Sequence, residues 1–142
     1  MNLTHIVREV IQSLTTPTHI QVKIVRELPT FLCDPIQMRQ VFQNLISNAI
    51  KYMDKPQGEV KINYTDNGEH YQFCVADNGM GIESKYFDHI FQLFQTIASR
   101  DQVDSTGVGL STVKKIVELN GGKIWVESKL EQGSTFFFRL PK

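Results

Sequence analysis

Asp77-Asn78-Gly79-Met80-Gly81-Ile82 places a carboxylate directly before two glycines that stand one residue apart. An ionised carboxylate only accepts hydrogen bonds, and glycine lets a ligand approach the backbone closely. An adenine amino group is a fitting donor to such a position, whereas guanine presents an acceptor there. Upstream runs an Asn-rich segment, Asn44-Leu45-Ile46-Ser47-Asn48-Ala49-Ile50-Lys51-Tyr52. Asn44, Asn48 and Lys51 are spaced i, i+4, i+7 and form one stripe if the segment is helical. An Asn amide oxygen is a hard ligand suited to Mg²⁺, which keeps several waters and takes few protein ligands. Lys51 offers a point charge for a terminal phosphate, and Tyr52 is placed to pack on a base or sugar. Downstream, Gly107-Val108-Gly109-Leu110 supplies a second open backbone. The helix start expected at Leu110-Ser111 adds unpaired N–H groups and a positive dipole end. Together these residues describe a site for ATP with Mg²⁺.

Each piece has a plainer reading. Asp77 can simply open a turn and accept from the amides of Asn78 and Gly79. The Asn stripe can be a solvated flank, although Asn is a poor helix former and Glu, Lys or Gln would serve solubility better. Gly107 and Gly109 can belong to a flexible loop; their spacing matches neither GxGxxG nor GxxxxGK[ST], which excludes Rossmann and P-loop sites. Phe87, Phe91 and Phe94 can pack a short helix on the core, or anchor a flap over Gln95 to Thr106 that closes on the nucleotide. Thr135 can be an ordinary strand residue, or its hydroxyl can help hold Asp77 or a water.

The elements that must position these groups follow from periodicity. Leu3, Ile6, Val7, Val10, Ile11 and Leu14 predict an amphipathic helix stopped by Thr16-Pro17. Ile20, Val22 and Ile24 alternate as a strand. Asp34 caps a second helix with Pro35 at its first position and Gln37 completing a capping box. That helix runs to about Tyr52 and buries Met38, Val41, Phe42, Leu45, Ile46 and Ala49. Two strands, centred on Val60-Ile62-Tyr64 and Tyr71-Phe73-Val75, are joined by an Asn67-Gly68 hairpin. A short helical piece spans Ser84 to Phe94. A last helix begins near Gly109 and stops at Asn120-Gly121-Gly122, and strands Lys123–Ser128 and Ser134–Leu140 close the chain. The expected fold is a two-layer α/β (α+β) sandwich: a mixed, mostly antiparallel sheet of about five strands with about three helices on one face.

At 142 residues the chain fits one domain, 1–142, able to bury about two-thirds of its unfolded surface. Fifteen basic and fifteen acidic residues cancel, so no basic field points to nucleic acid or an anionic membrane. Cys33 and Cys74 have no metal or redox spacing and read as reduced thiols. No run approaches a membrane span and no signal peptide opens the chain, so a cytoplasmic location is expected.

These residues resemble the catalytic, ATP-binding domain of bacterial sensor histidine kinases, within the GHKL superfamily that also holds DNA gyrase, heat-shock chaperone ATPases and mismatch-repair ATPases. The resemblance covers essentially the whole chain. Asn44 to Tyr52 is similar to the N box, Asp77 to Ile82 to the G1 box, Phe87 to Phe94 to the F box, and Gly107 to Leu110 to the G2 box. It implies the Bergerat ATP-binding fold, Asp77 on the adenine amino group, Asn48 on Mg²⁺, and Lys51 and Tyr52 on the nucleotide. It further implies nucleotide contacts from Gly79, Gly81, Ile82, Phe94, Thr106 to Ser111 and Thr135, under a lid between the F and G2 boxes. Ser105 stands where a further glycine is common.

Position 44 separates two chemistries. Related hydrolases carry there a glutamate that activates water, whereas Asn44 has no useful basicity. That matches a kinase whose nucleophile is a histidine on another domain, with Asn44, Asn48 and Lys51 as the catalytic set. No His followed by an acidic residue and an Arg-Thr-Pro-Leu-like run occurs here. The phosphoacceptor domain, of the same or a partner kinase, is therefore expected outside this chain, which reads as a module of a longer protein. A response regulator is engaged indirectly, and the isolated domain is expected to be monomeric. The competing reading is a non-catalytic nucleotide sensor whose lid closure controls a protein partner.

Overall fold

A computed structural model describes residues 2–14, 16–83, 85 and 106–142. Helix α1 (Leu3–Ser13) is capped by the Asn2 side chain, which accepts from His5 N, and ends at Leu14, which is the C-cap. Strand β1 (Ile20–Ile24) follows, then helix α2 (Pro35–Lys51). Asp34 caps α2 as its sequence predicts, accepting from Ile36 N and Gln37 N at 2.9 and 3.2 Å. Gln37 does not turn back to complete a capping box. Its carboxamide oxygen instead accepts from Asn120 Nδ2 at 3.0 Å, tying the start of α2 to the residue after α3. Strands β2 (Gly58–Asp66) and β3 (His70–Asp77) form the hairpin, with Gly68 at φ 92° in its turn. Helix α3 (Thr106–Leu119) and strands β4 (Lys123–Lys129) and β5 (Gly133–Pro141) complete the described elements.

The five strands make one sheet in the order β1-β2-β3-β5-β4. β1 and β2 run parallel, joined through α2, and every other pairing is antiparallel. Burial alternates with period two along the strands, so one face is dry. Val60, Ile62, Phe73, Val75, Val126, Phe136, Phe138 and Leu140 fill it against apolar residues of all three described helices. Phe42 of α2 meets Phe138 edge-on at 5.5 Å between ring centres, and Phe138 stacks on Phe73 at 5.1 Å. These wholly buried rings seat α2 over the centre of the sheet, and truncating one to Ala costs about 3–5 kcal/mol. The opposite face carries Trp125, stacked on Phe137 at 5.4 Å and 12°. Trp125 therefore lies across the sheet from its neighbours Ile124 and Val126, which belong to the core. The two-layer sandwich expected from the sequence is the fold observed. No helix among the described residues is long and apolar enough to cross a membrane.

Candidate functional site

Strand β3 ends by carrying Asp77 to the rim of the dry face, because Asp77 is two residues beyond Val75 and four beyond Phe73. Burial pushes its carboxyl above the usual carboxylate range; the amides of Gly79 and Ser134 pull it back, and the nearby Asp54 pushes it up further. Gly79 N donates to Asp77 Oδ1 at 2.9 Å, so the turn anticipated at this point does form. Asn78 N does not join it and donates instead to Glu59 O at 3.3 Å.

The turn is pressed against the end of α2. A Cβ on Gly79 would lie 3.1 Å from Tyr52 O and 3.5 Å from Met53 Cα, so glycine is what permits this approach. At the middle of the same helix, a Cβ on Gly109 would sit 3.3 Å from Asn44 Oδ1. The stripe Asn44-Asn48-Lys51-Tyr52 is therefore bordered at Tyr52 by the first glycine motif and at Asn44 by the second. Lys51 is exposed, with its Nζ 5.7 Å from the Tyr52 ring centre. Between these borders lies Asn48, whose Oδ1 is buried without a hydrogen-bond partner among the described residues. Such an atom forfeits its hydration for nothing in return, a cost of about 1–3 kcal/mol that a ligand can offset.

Gly81 adopts φ 76°, and a side chain there would run into the carbonyl of Lys129. Gly133 adopts φ 98°, and a side chain would strike the carbonyl of Asp77. Both glycines thus let the segment after β3 lie flat on the β4–β5 turn, where Glu131 N donates to Met80 O at 2.7 Å.

Two expectations need correction. Thr135 pairs with Ala76, so it shares that residue's outer face and its hydroxyl points away from Asp77. Ser134 occupies the place: it pairs with Asp77 and is only 6% exposed. The second concerns α3, which begins at Thr106 rather than near Gly109. The donors a helix leaves unpaired then fall, within the element, on residues 106–108, while Leu110 and Ser111 lie beyond them. Leu110 is moreover in the core at 3% exposure, as is Ile82 at 8%. Phe94, the helical piece from Ser84, the flap after Gln95 and Ser105 lie outside the described residues.

The sequence reading also passed over Asn78 and Ser128. Asn78 Oδ1 accepts from Glu59 N at 2.7 Å and its Nδ2 donates to Gln57 O at 3.1 Å, clamping the entry to β2 beside the carboxylate. Ser128 accepts from Ile82 N at 2.8 Å. Period two would have found Ser134, which is two residues before Phe136. No local signal marks Asn78 or Ser128, because their partners are distant in the chain.

A family model described as histidine kinase-, DNA gyrase B-, and HSP90-like ATPase matches residues 33–142. The chain belongs to this family. Cyanobacterial phytochrome B of a Nostoc species is 43% identical over 140 residues, 97% of this chain and 19% of the relative. The circadian input-output histidine kinase CikA of Synechococcus elongatus is 38% identical over 125 residues, 87% of this chain and 16% of the relative. The chain thus spans less than a fifth of the length of these curated relatives. Among solved structures, the catalytic domain of histidine kinase ThkA superposes with a TM-score of 0.79 at 30% identity, covering 100% of this chain and 93% of that one. Full-length ShkA in complex with AMPPNP gives 0.80 at 28% identity, covering 99% of this chain and 30% of that one. Membership of this ATPase family supports nucleotide binding.

Proposed function

We propose that the cleft where α2, α3 and the end of β3 meet binds ATP with Mg²⁺ and presents its γ-phosphate to a histidine on a separate phosphoacceptor domain, of the same or a partner kinase. The supporting observation is the arrangement around α2: a buried Asn48 oxygen without a partner lies between a desolvated carboxylate and the opening turn of α3. In this reading Asp77 accepts from the adenine amino group, Gly79 and Gly81 let the chain beside it pack against α2 and the β4–β5 turn, and Lys51 meets phosphate charge. Residues 106–108 offer backbone donors and the positive end of the α3 dipole to the phosphates. Asn48 fits Mg²⁺, since its neutral hard oxygen is buried and unsatisfied, and it would hold the ion as one of few protein ligands. When bound, the ion neutralises phosphate charge.

The transfer forms an N–P bond to an imidazole nitrogen as the bond from Pγ to the ADP oxygen breaks. ADP leaves with the electron pair, and the imidazole loses its proton to solvent. The chain's part is positioning and charge stabilisation. Asn44 provides no base to activate water, and it packs against Gly109, which favours transfer to histidine over hydrolysis. The phosphohistidine would then supply a response regulator. The same reading places the domain in the cytoplasm and, when isolated, as a monomer.

Mixing the chain with a separate phosphoacceptor domain and γ-labelled ATP tests this. Acid-labile, base-stable label on the acceptor is the expected result. ATP binding without transfer to any cognate acceptor would refute the kinase reading in favour of a nucleotide-sensing module.

A further inference from the structure

Ser128 sits on β4 opposite Ser134, and three groups converge on its hydroxyl. Ile82 N donates to Ser128 Oγ at 2.8 Å, Gly133 O lies 2.8 Å away, and Ser134 Oγ is also at 2.8 Å. A hydroxyl has one proton. The Ile82 amide can only donate and the Gly133 carbonyl can only accept, so Ser128 spends its proton on Gly133 O. The contact between the two hydroxyls is then a bond in which Ser134 donates to Ser128. Ser134 is left with lone pairs alone to offer on the face it shares with Asp77.

From this we infer that Ser128 is a positioning residue that sets base specificity: it aims the Ser134 proton away from the pocket, so that Asp77 and Ser134 present acceptors only. Two acceptors suit a 6-amino purine, whose amino group has two hydrogens to give. They reject a 6-oxo purine, whose oxygen would face lone pairs. Ser128 also anchors the Ile82 end of the glycine segment, while Glu131 N holds Met80 O. One side chain therefore sets both the place of the segment and the polarity of the pocket wall. The inference rests on the nucleotide reading above.

The test compares ADP with inosine diphosphate, which differ at the 6 position, by calorimetry on the full chain. In Ser128→Ala the Ser134 hydroxyl is released to rotate and donate, so the ADP/IDP affinity ratio should fall about tenfold. Ser128→Thr keeps the hydroxyl and should restore the ratio. A purely structural role would weaken both ligands alike and leave the ratio unmoved, which would overturn the inference. If Ser128→Ala does not fold, Ser134→Ala removes the oriented acceptor while Ser128 keeps Ile82 and Gly133; an unchanged ratio there overturns it equally. A wild-type chain that binds no adenine nucleotide refutes the nucleotide reading itself, a result distinct from unaltered discrimination.

Discussion

Replacing Asp77 with Asn should separate what this residue does for binding from what it does to the fold. The change is nearly isosteric, and the new amide oxygen can still accept from Gly79 N, now 2.9 Å from Oδ1. What is lost is a charged acceptor, and an NH₂ group takes the place of one oxygen. A charge-assisted hydrogen bond replaced by two opposed donors in a desolvated site costs about 2–3 kcal/mol, or about 30–150-fold in ADP affinity. Stability should move the other way. Burial holds the Asp77 carboxyl above its ordinary range, so the folded chain binds that proton more tightly than the unfolded one. The stabilising contribution of the protonated group is fully present below the unfolded value. It is lost as pH rises through the folded one, and at pH 7 ionisation is a full penalty. Asp77→Asn removes that penalty, so its denaturant midpoint at pH 7 should exceed the wild-type midpoint, and the gap should close below about pH 4. Calorimetry with ADP and urea melts at pH 7 and at acid pH read the two effects. Unchanged ADP affinity would refute the binding role. A variant less stable than wild type at pH 7 would refute the claim that the carboxylate is held against the fold's preference.

Asn48→Ala deletes a buried oxygen that no group among the described residues satisfies, so thermal stability should hold to within about 1 kcal/mol. Mg²⁺ should then no longer tighten ADP binding, and a surviving metal dependence in titrations with and without Mg²⁺ would exclude Asn48 as the ligand. Asn78→Ala breaks both bonds to the entry of β2 and should cost about 1–3 kcal/mol in urea unfolding, with ADP affinity reduced as well; a neutral result would show the clamp to be idle. Gly133→Ala forces a side chain into the Asp77 carbonyl at a positive φ and should cost about 2–4 kcal/mol, read as a lowered midpoint. Ala at Gly68 (φ 92°), where a side chain meets only open space, should cost less, and equal losses at the two sites would undo the steric argument.

Local pattern carried much of the architecture. The bounds of β1 follow from Ile20, Val22 and Ile24, and the start of α2 from Asp34-Pro35, because each is decided by neighbours in the chain. Asn120-Gly121-Gly122 stops α3 as read: Gly121 takes φ 80° and Gly122 N reaches back to Val117 O at 2.9 Å. Residues that matter through pairing were harder to see. Ser134 rather than Thr135 faces Asp77 because β5 is set against β3 in one register, and a shift of one residue exchanges the two faces. The preference of Gln37 for Asn120 over its own helix start depends on α3 arriving beside α2, 83 residues later. The glycines at 79 and 109 were legible as open backbone, but what fills the space, Tyr52 and Asn44, is known only once the helices are laid on the sheet.

The stacked indole of Trp125 is the chain's single tryptophan, and it faces away from the helical layer. Its emission will follow loss of the sheet while staying insensitive to cleft occupancy. Unfolding can therefore be monitored optically in saturating nucleotide, and any rise in midpoint credited to bound ligand without a label near the pocket.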